Sequence, residues 1–294
     1  MIDKLEMFIA LARAQHFGRA AESCGVTQPT LSAGIKQLED QLGVQLVWRG
    51  ARFQGLTPEG QRTLEWARRI VGDSRALRDE MRMAKTGLSG NLRIGVIPSA
   101  LAYVPALTDP FLKRHPNARF TILSRSAEEI ANGLDSLSLD AGITYLDAEP
   151  GPKMFGLPLY DEGYRVVART DMLPPGASTL PWADLAELPL CLLTPEMQNR
   201  RFMDQHMAEA GVDVRPSVEA NTVLVLMAHI RRGGVATILS DRTAMLLNGM
   251  EDLTVLPLVK PEAAHRVGLL SLKREPATPV LSALFAEARR IATV

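Results

Sequence analysis

The side chains most suited to binding nucleic acid lie in one short segment near the amino terminus, at the start of a predicted helix. They are Gln28, Thr30, Ser32 and Lys36. Each can form a hydrogen bond with a base edge or a phosphate group. The chain of 294 residues has a formal net charge of +0, however, without the basic excess that is usual in nucleic-acid-binding proteins. Two interpretations follow: a DNA-reading helix, or an amphipathic helix whose polar face is solvated.

Charge is unevenly distributed along the chain. Residues 1–87 carry 13 lysines and arginines against 10 aspartates and glutamates, and the remainder is acidic by the same margin. The asymmetry is mild, but its sign favours a nucleic-acid-binding module at the amino terminus.

The elements around the polar segment predict a helix-turn-helix. Apolar residues at helical spacing predict a first helix over residues 3–15, and residues 19–24 form a short second helix that Gly25 ends. Thr27 is a good N-cap for a third helix, with Pro29 in its first turn. The apolar face of this third helix consists of Leu31, Ile35, Leu38 and Leu42.

A wing and a long helix are predicted next. VQLVWRGARFQGL, residues 44–56, reads as two short strands around a basic loop. From Pro58 to about Lys85 no proline intervenes, so a helix of about 40 Å is predicted. Its apolar residues near heptad spacing are Leu64, Ala67, Val71, Leu77, Met81 and Ala84. Such a seam favours a dimerisation helix, and packing of that face against its own chain remains the alternative.

Beyond a hinge-like linker at 86–90, the pattern changes to alternating strands and helices. Strands are predicted at 92–97, 119–123, 139–144, 164–168, 190–193, 214–219, 235–239 and 267–272, and helices at 101–114, 126–134, 196–210, 222–231 and 278–291. This alternation predicts mainly parallel sheets covered on both faces.

The segment LEMFIALARAQHFGRAAESCGVTQPTLSAGIKQLEDQLGVQLVWR resembles the LysR-type transcriptional regulator family, and LTPEGQRTLEWARRI and NLRIGVIPSALAYVPALTDPFLKRHPNARF continue the likeness. The resemblance extends over the whole chain and is most specific at the amino terminus. It implies an α+β multidomain fold: a winged helix-turn-helix, a long linker helix, and two α/β subdomains resembling periplasmic binding proteins. An effector would bind in the cleft between the subdomains. Closure of this cleft about crossovers near 162–165 and 265–268 would transmit effector binding to the linker helix and alter the geometry of the dimer.

The resemblance also implies boundaries and partners. The boundaries are a DNA-binding domain at 1–57, a linker helix at 58–87 and an effector-binding domain at 88–294, with subdomain I at about 91–162 and 267–294 and subdomain II at about 163–266. Double-stranded promoter DNA, a small-molecule effector and further copies of the chain, as a dimer of dimers, are the expected partners. The resemblance further implies that the chain acts at promoters as an activator and as a repressor, and RNA polymerase is then a further expected partner.

By this resemblance, DNA contacts fall at the start of the third helix and on the wing. The residues are Thr27, Gln28, Pro29, Thr30, Ser32, Lys36, Arg49 and Arg52. Glutamine can pair with adenine through two hydrogen bonds, and the positive end of the helix favours phosphate without a formal charge. A solvated surface role is the alternative for each residue. Ala33 and Gly34 stand where many family members have Arg or Gln, which removes two contacts.

The effector residues are predicted from the ends of strands that open onto helices, where ligands of such folds bind. The candidates are Ser99, Ala100, Ser124, Ser126, Thr144, Thr194 and Thr222. Ser99 is the first choice because the family also places Ser or Thr there. Simple helix capping is the alternative for Ser99, Thr194 and Thr222. Hydroxyl and amide groups at this rim favour a small anionic effector.

Other functional classes lack the motifs they need. The chain has no GxSxG, P-loop, GxGxxG or HExxH motif, so no catalytic residue, enzyme activity or cofactor is expected. The five histidines lack metal-ligand spacing, so no metal is expected. The two cysteines, Cys24 and Cys191, lie far apart. Peroxide sensing through a disulfide needs a resolving thiol, and the carboxy-terminal part has only one cysteine.

No apolar run approaches the length of a membrane helix and no signal peptide is recognisable, so the expected location is cytoplasmic. A soluble small-molecule-binding protein with an amino-terminal partner-docking module is the alternative function. It is less favoured because it needs neither a recognition helix nor a basic wing.

Overall fold

The computed structural model describes residues 1–48, 50, 53–146, 151–250 and 252–293. It confirms the predicted fold class: an amino-terminal helical domain, a long helix and two α/β subdomains. The helices of the first part are α1 (Ile2–Ala14), α2 (Phe17–Ser23), α3 (Gln28–Leu42) and α4 (Pro58–Thr86).

Local capping determines where the amino-terminal helices begin and end. The His16 Nδ1 atom accepts hydrogen bonds from the N–H groups of Gly18 and Arg19, at 3.1 and 3.3 Å. Because this cap satisfies free N–H groups, α2 begins at Phe17, two residues before the predicted start. Gly43 ends α3 with a left-handed φ of 68°, a conformation that glycine adopts without strain.

The wing is attached to α3 by a half-buried carboxylate contact. Glu39 Oε1 accepts hydrogen bonds from the N–H groups of Leu46 and Val47, at 2.7 and 3.2 Å. Val47 in turn pairs with Leu56 in an antiparallel bridge. The predicted wing residues Arg49 and Arg52 lie outside the described residues.

The first half of α4 packs against its own chain. Leu64, Ala67 and Val71 are buried in one apolar cluster with α1, α2 and α3. For these three residues the own-chain alternative is correct, and the predicted heptad seam is wrong. Leu77 and Met81 of the predicted seam are exposed instead, and they lie on one face of α4 with the exposed Trp66 and Ile70. We call these four residues the exposed apolar set of α4.

The remaining elements follow in chain order. The strands are β1 (Gly90–Val96), β2 (Ala118–Ser124), β3 (Ala141–Tyr145), β4 (Met154–Glu162), β5 (Tyr164–Arg169), β6 (Leu180–Pro181), β7 (Cys191–Leu193), β8 (Val218–Ala220), β9 (Thr237–Ser240), β10 (Leu253–Val259) and β11 (His265–Leu272). The helices are α5 (Val104–Arg114), α6 (Ala127–Asp135), α7 (Gln198–Glu209), α8 (Val223–Arg232), α9 (Asp241–Met245) and α10 (Pro279–Ile291), and a 3-10 helix (Pro98–Tyr103) runs into α5.

The sheets are mixed, which corrects the expectation of mainly parallel sheets. In subdomain I the order is β2-β1-β3-β11-β4; β1 pairs in parallel with β2 and β3, whereas β11 pairs antiparallel with β3 and β4. In subdomain II, β5 pairs antiparallel with β9 and β10, and β7 with β8 forms a small parallel sheet. The antiparallel pairs arise because the chain passes between the sheets twice.

Both passages lie where two strands of different sheets meet end to end. Gly163 alone separates β4 from β5, and residues 260–264 separate β10 from β11. A cleft therefore opens between the subdomains on one side of two short connections. Within the described ranges, no helix is both long and apolar enough to span a bilayer.

Candidate functional site

The start of α3 presents the predicted polar residues to solvent. Thr27, Gln28, Pro29 and Thr30 are exposed, as is Lys36, while Ser32 is half-buried. The Thr27 hydroxyl caps the helix by accepting from the Thr30 N–H at 3.4 Å, and it also lies 2.9 Å from the Thr30 hydroxyl. Opposite this surface, Leu31, Ile35 and Leu38 are buried. The helix therefore has one face in the domain core and one polar face free for a partner.

Within the Ala33-Gly34 pair, Gly34 has a packing role that the sequence alone does not reveal. Gly34 is buried against α1, and a Cβ atom there would lie 2.7 Å from the sulfur of Met7. A longer side chain at 34 would therefore require the Met7 side chain to move. Only Ala33 of the pair is exposed.

A cleft of about 310 Å³ lies between the two subdomains. Three predicted residues line it: Ser99, Ser124 and Ser126. Sequence reasoning missed Arg125, Tyr145, Gln198, Asn199 and Asn221, which line it as well. Gln198 and Asn199 begin α7, and no side chain caps this helix. Uncapped N–H groups at a helix start favour negative charge.

The floor of the cleft is a hydrogen-bonded group that spans both subdomains. The hydroxyls of Ser99 and Tyr145 lie 3.0 Å apart, and the Tyr145 hydroxyl donates to Glu162 Oε1 at 2.7 Å. Asn199 Nδ2, from subdomain II, donates to the Tyr145 hydroxyl at 3.0 Å and lies 3.4 Å from Glu162 Oε1. All four residues are buried. We call Ser99, Tyr145, Glu162 and Asn199 the floor group.

Glu162 is held in an environment that favours its neutral form. Burial raises the pKa of its carboxyl group to about 7, and the hydrogen bond from Tyr145 opposes this rise. The negative charge of Asp241 contributes to this raised pKa as well. Burial, together with the charge of Glu162, also raises the pKa of Tyr145, so its hydroxyl remains a donor. A carboxyl group therefore titrates close to neutral pH beneath the cleft.

Three further hydrogen bonds lie between the subdomains beside the floor group. The Ser99 carbonyl oxygen accepts from the hydroxyls of Ser240 and Thr243, at 3.1 and 3.2 Å. At the first connection, Gly163 N–H donates to Asp241 Oδ2 at 3.1 Å. Ser99 thus presents its hydroxyl to the cleft while its backbone is held by subdomain II.

Four predicted effector residues do not line the cleft. Ala100 is fully buried in the subdomain I core, and Thr144 lies one position before Tyr145, so its side chain points to the other face of β3. Thr194 pairs through its backbone N–H with Ala220. The Thr222 hydroxyl caps α8 at 3.4 Å from the Leu224 N–H, as the capping alternative for this residue states.

Two of the five histidines, which are 59 residues apart in the sequence, lie next to each other in the fold. His206 and His265 come together at the second connection, with their Nε2 atoms 3.1 Å apart, and Glu209 Oε2 lies 3.2 Å from His206 Nδ1. Phe202 stacks on His265 at 3.6 Å between ring centroids. Among the described residues, no cluster of three or more His, Cys, Asp or Glu side chains is arranged to hold a metal ion.

The two thiols occupy different environments. Cys191 lies on β7 with 0% exposure, and burial raises the pKa of its thiol. Cys24 is half-buried beside α2. A raised pKa lowers the thiolate fraction at neutral pH, and the thiolate is the reactive form.

Comparison with known proteins gives a consistent result along the chain. The family model described as "Bacterial regulatory helix-turn-helix protein, lysR family" matches residues 2–61, and that described as "LysR substrate binding domain" matches residues 85–292. The DNA-binding transcriptional dual regulator OxyR of Escherichia coli strain K12 is 30% identical over 285 residues, which are 96% of this chain and 91% of that relative.

Two solved structures have the same architecture. A full-length OxyR variant from Pseudomonas aeruginosa matches 100% of this chain and 95% of its own, with a TM-score of 0.77 and 25% identity. Full-length CbnR in complex with its target DNA matches 99% of this chain and 100% of its own, with a TM-score of 0.62 and 22% identity. At that identity the second likeness speaks for the fold alone.

Proposed function

Because this chain belongs to the LysR family of transcriptional regulators, we propose that a small anionic effector bound between its two α/β subdomains controls how it holds DNA. The chain is a regulator that binds double-stranded DNA and carries an effector-binding domain. We assign residues 1–57 to DNA binding, 58–87 to the linker helix and 88–294 to the effector domain. The floor group, which joins both subdomains beneath the cleft, is the observation that carries the proposal.

DNA reading is assigned to the exposed start of α3. Gln28 and Thr30 stand on the solvent face at the positive end of the helix, where bases and phosphates can approach. Thr27, Pro29 and Ser32 complete this surface, and Lys36 supplies a phosphate contact one turn beyond. We keep Arg49 and Arg52 as phosphate contacts of the wing on the ground of the family resemblance.

The anionic character of the effector is supported by two features of the cleft. The first residues of α7 line it, and no side chain caps the N–H groups of this first turn. Arg125 lines the same cleft and supplies a positive charge. The carboxylates of Glu129 and Glu196 line the cleft as well. Glu129 accepts from the Ser126 N–H at 2.8 Å, so this carboxylate is engaged in the capping box of α6.

The effector assignment is tested by thermal unfolding of the full chain with a panel of small compounds. The panel contains mono- and dicarboxylates, their neutral amides and amino acids. A carboxylate should raise the melting temperature, its amide should not, and Ser99→Ala should abolish the rise. Ser136→Ala removes a hydroxyl outside the cleft and is the matched control. A rise that persists in Ser99→Ala, or one caused only by amides, would contradict the proposal.

DNA reading is tested separately by gel shifts with genomic fragments over a salt series. Gln28→Ala should reduce the preference for the bound fragment over unrelated DNA. Lys36→Ala should weaken binding to all fragments and lower the salt slope by about one. Equal loss of preference in both variants would place base recognition elsewhere.

Self-association is assigned to the exposed apolar set of α4. Trp66 and Leu77 are 61% and 59% exposed, an unusual state for large apolar side chains on one helix. A second copy of α4 would cover them and form the homodimer, two of which would make the expected tetramer. Sedimentation of Trp66→Lys should show a shift toward the monomer.

Several relatives bear the name hydrogen peroxide-inducible genes activator, which raises peroxide as an alternative effector. A disulfide switch needs a reactive thiol and a second thiol within reach. Cys191 is fully buried with a raised thiol pKa, and the other cysteine, Cys24, belongs to the amino-terminal domain. These features favour a reversibly bound effector over thiol oxidation.

A further inference from the structure

A second cavity lies far from the cleft, where the linker helix meets the effector domain. Its volume is about 420 Å³, and its walls come from α4, β1, the α6–β3 turn, the segment after β11 and α10. This size is in the range of small-molecule sites. The cavity therefore lies at the junction between the linker helix and subdomain I.

Positive charge dominates the walls of this cavity. Five arginines line it: Arg75, Arg78 and Arg82 from α4, Arg93 from β1 and Arg274 after β11. The carboxylates that line it are Asp79 and Asp140. We call the cavity that these five side chains line the arginine cavity.

The local carboxylates do not balance all of this charge. Asp140 is bonded by Arg93, whose Nη2 and Nε lie 3.1 and 3.3 Å from its oxygens. Asp79 lies 3.9 Å from Arg82. Within the described ranges, Arg78 and Arg274 form no ion pair with a carboxylate. The remaining positive charge therefore belongs to Arg78 of the linker helix and Arg274 of subdomain I, one on each side of the junction between them.

Arg274 is the residue that makes the cavity unusual. Its guanidinium lies directly over Gly72 of α4, so that any Cβ atom at position 72 would overlap it. Its Nη2 atom lies 3.5 Å from the Arg68 carbonyl oxygen, a long contact for a charged donor. Burial lowers the pKa of Arg274, whereas the negative charge of Asp73 raises it and the positive charge of Arg75 lowers it again. A half-buried guanidinium with one long hydrogen bond and, in the described part of the chain, no carboxylate at ion-pair distance is stabilised further by a bound anion.

We propose that the arginine cavity is a second ligand site, which takes a small anion with two or more negative charges, such as a phosphate ester or a dicarboxylate. Guanidinium groups bind phosphate and carboxylate through paired N–H donors, and Arg78 and Arg274 would reach the ligand from opposite walls. The bound anion would bridge α4 to subdomain I. It would thereby stabilise the docked position of the DNA-binding domain.

The test is isothermal titration calorimetry of the full chain without DNA, at constant ionic strength, with pyrophosphate and with citrate as probes. Saturable binding of at least one probe is expected, and the ratio of the two affinities tells phosphate from carboxylate chemistry. Arg274→Gln and Arg78→Gln should each weaken binding at least about tenfold, because each removes a charged hydrogen-bond donor. Arg231→Gln, at an exposed position on α8, should have no effect.

Gly72→Ala gives a test that leaves every charge in place. The added methyl group would displace the Arg274 guanidinium, so binding should weaken as in Arg274→Gln, while alanine suits the helix better than glycine. Absence of saturable binding would overturn the proposal, because it means that there is no site. An equal loss in Arg231→Gln would overturn it, because it points to unspecific charge. Unchanged binding in both Arg274→Gln and Arg78→Gln would overturn it, because it places the bound anion elsewhere, such as in the cleft.

Discussion

Replacing Glu162 by glutamine is expected to remove a loss of stability that the unaltered chain undergoes as the pH rises. The carboxyl group is buried in the floor group, and burial raises its pKa from 4.5 to about 7. A carboxyl group with a higher pKa in the folded chain binds its proton more tightly there. Its contribution to stability is therefore complete below pH 4.5 and is lost as the pH rises through about 7.

The magnitude follows from the width of that interval. One pKa unit corresponds to about 1.36 kcal/mol, so the full effect is about 3 kcal/mol of unfolding free energy. Between about pH 5 and pH 8 the expected loss from this group is about 2.5 kcal/mol. Glutamine keeps an oxygen acceptor for Tyr145 and Asn199 but cannot ionise. The difference in stability between Glu162→Gln and the unaltered chain should therefore grow by that amount, in favour of the variant.

Urea unfolding followed by tryptophan fluorescence measures the difference. Trp182 is fully buried against Tyr164 in subdomain II, so its emission reports on the loss of that core. Glu128→Gln, at an exposed position of α6, controls for the general loss of one carboxylate. A difference between Glu162→Gln and the unaltered chain that stays within about 1 kcal/mol from pH 5 to pH 8 would refute the reasoning.

Three further outcomes are expected from the described contacts. Leu137→Ala should free the DNA-binding domain from subdomain I and speed hydrogen exchange in α1 and α4, because this side chain is buried in the amino-terminal core; Leu224→Ala, at an exposed position, should not. Gly34→Val should lower the melting temperature of the amino-terminal domain, because the added side chain would collide with the Met7 side chain; unchanged melting would show that Met7 moves aside without loss of packing. A thiol reagent should label Cys191 in the native chain at least tenfold more slowly than in urea, as mass spectrometry can measure, and equal rates would contradict its burial.

The helices of the amino-terminal domain were predictable because their signals are local. The Thr27 cap, the apolar face of α3 and the Gly43 stop lie within one turn of the feature they determine. The seam of α4 was not predictable in the same way. Leu64 and Val71 have the spacing of a coiled coil, but the same spacing serves packing against α1, and only the tertiary structure distinguishes the two.

The cleft residues show a different limit. The carboxyl ends of the predicted strands agree with the structure to within one residue, although β4, β6 and β10 were not predicted. Side chains alternate between the two faces of a strand, so even an error of one residue selects the wrong face. Thr144 was chosen where Tyr145 lines the cleft. Glu162 and Asn199 come from separate elements of two subdomains, so no pattern within a short window could have brought them together.

Strand β3 relates the effector cleft to the DNA-binding domain. Its last residue, Tyr145, belongs to the floor group. Before its first residue, the α6–β3 turn inserts Leu137 into the core of the amino-terminal domain, and the Leu137 carbonyl oxygen accepts from Arg75 of α4 at 3.0 Å and Arg93 of β1 at 2.9 Å. The strand lies between β1 and β11 in the sheet, so cleft and docking turn belong to one rigid layer about 16 Å long.

This arrangement removes the need for a conformational change within subdomain I. The amino-terminal domain is docked on subdomain I through Leu137, so these two parts move together. Closure of subdomain II over the cleft then changes the position of subdomain II relative to both of them at once. An effector that binds the closed cleft more tightly than the open cleft would then shift the orientation of the DNA-binding domain relative to subdomain II, through this difference in affinity alone. Leu137→Ala should consequently retain effector affinity and DNA binding but lose the dependence of one on the other. A variant that keeps its full effector response would show that the signal does not pass through this contact.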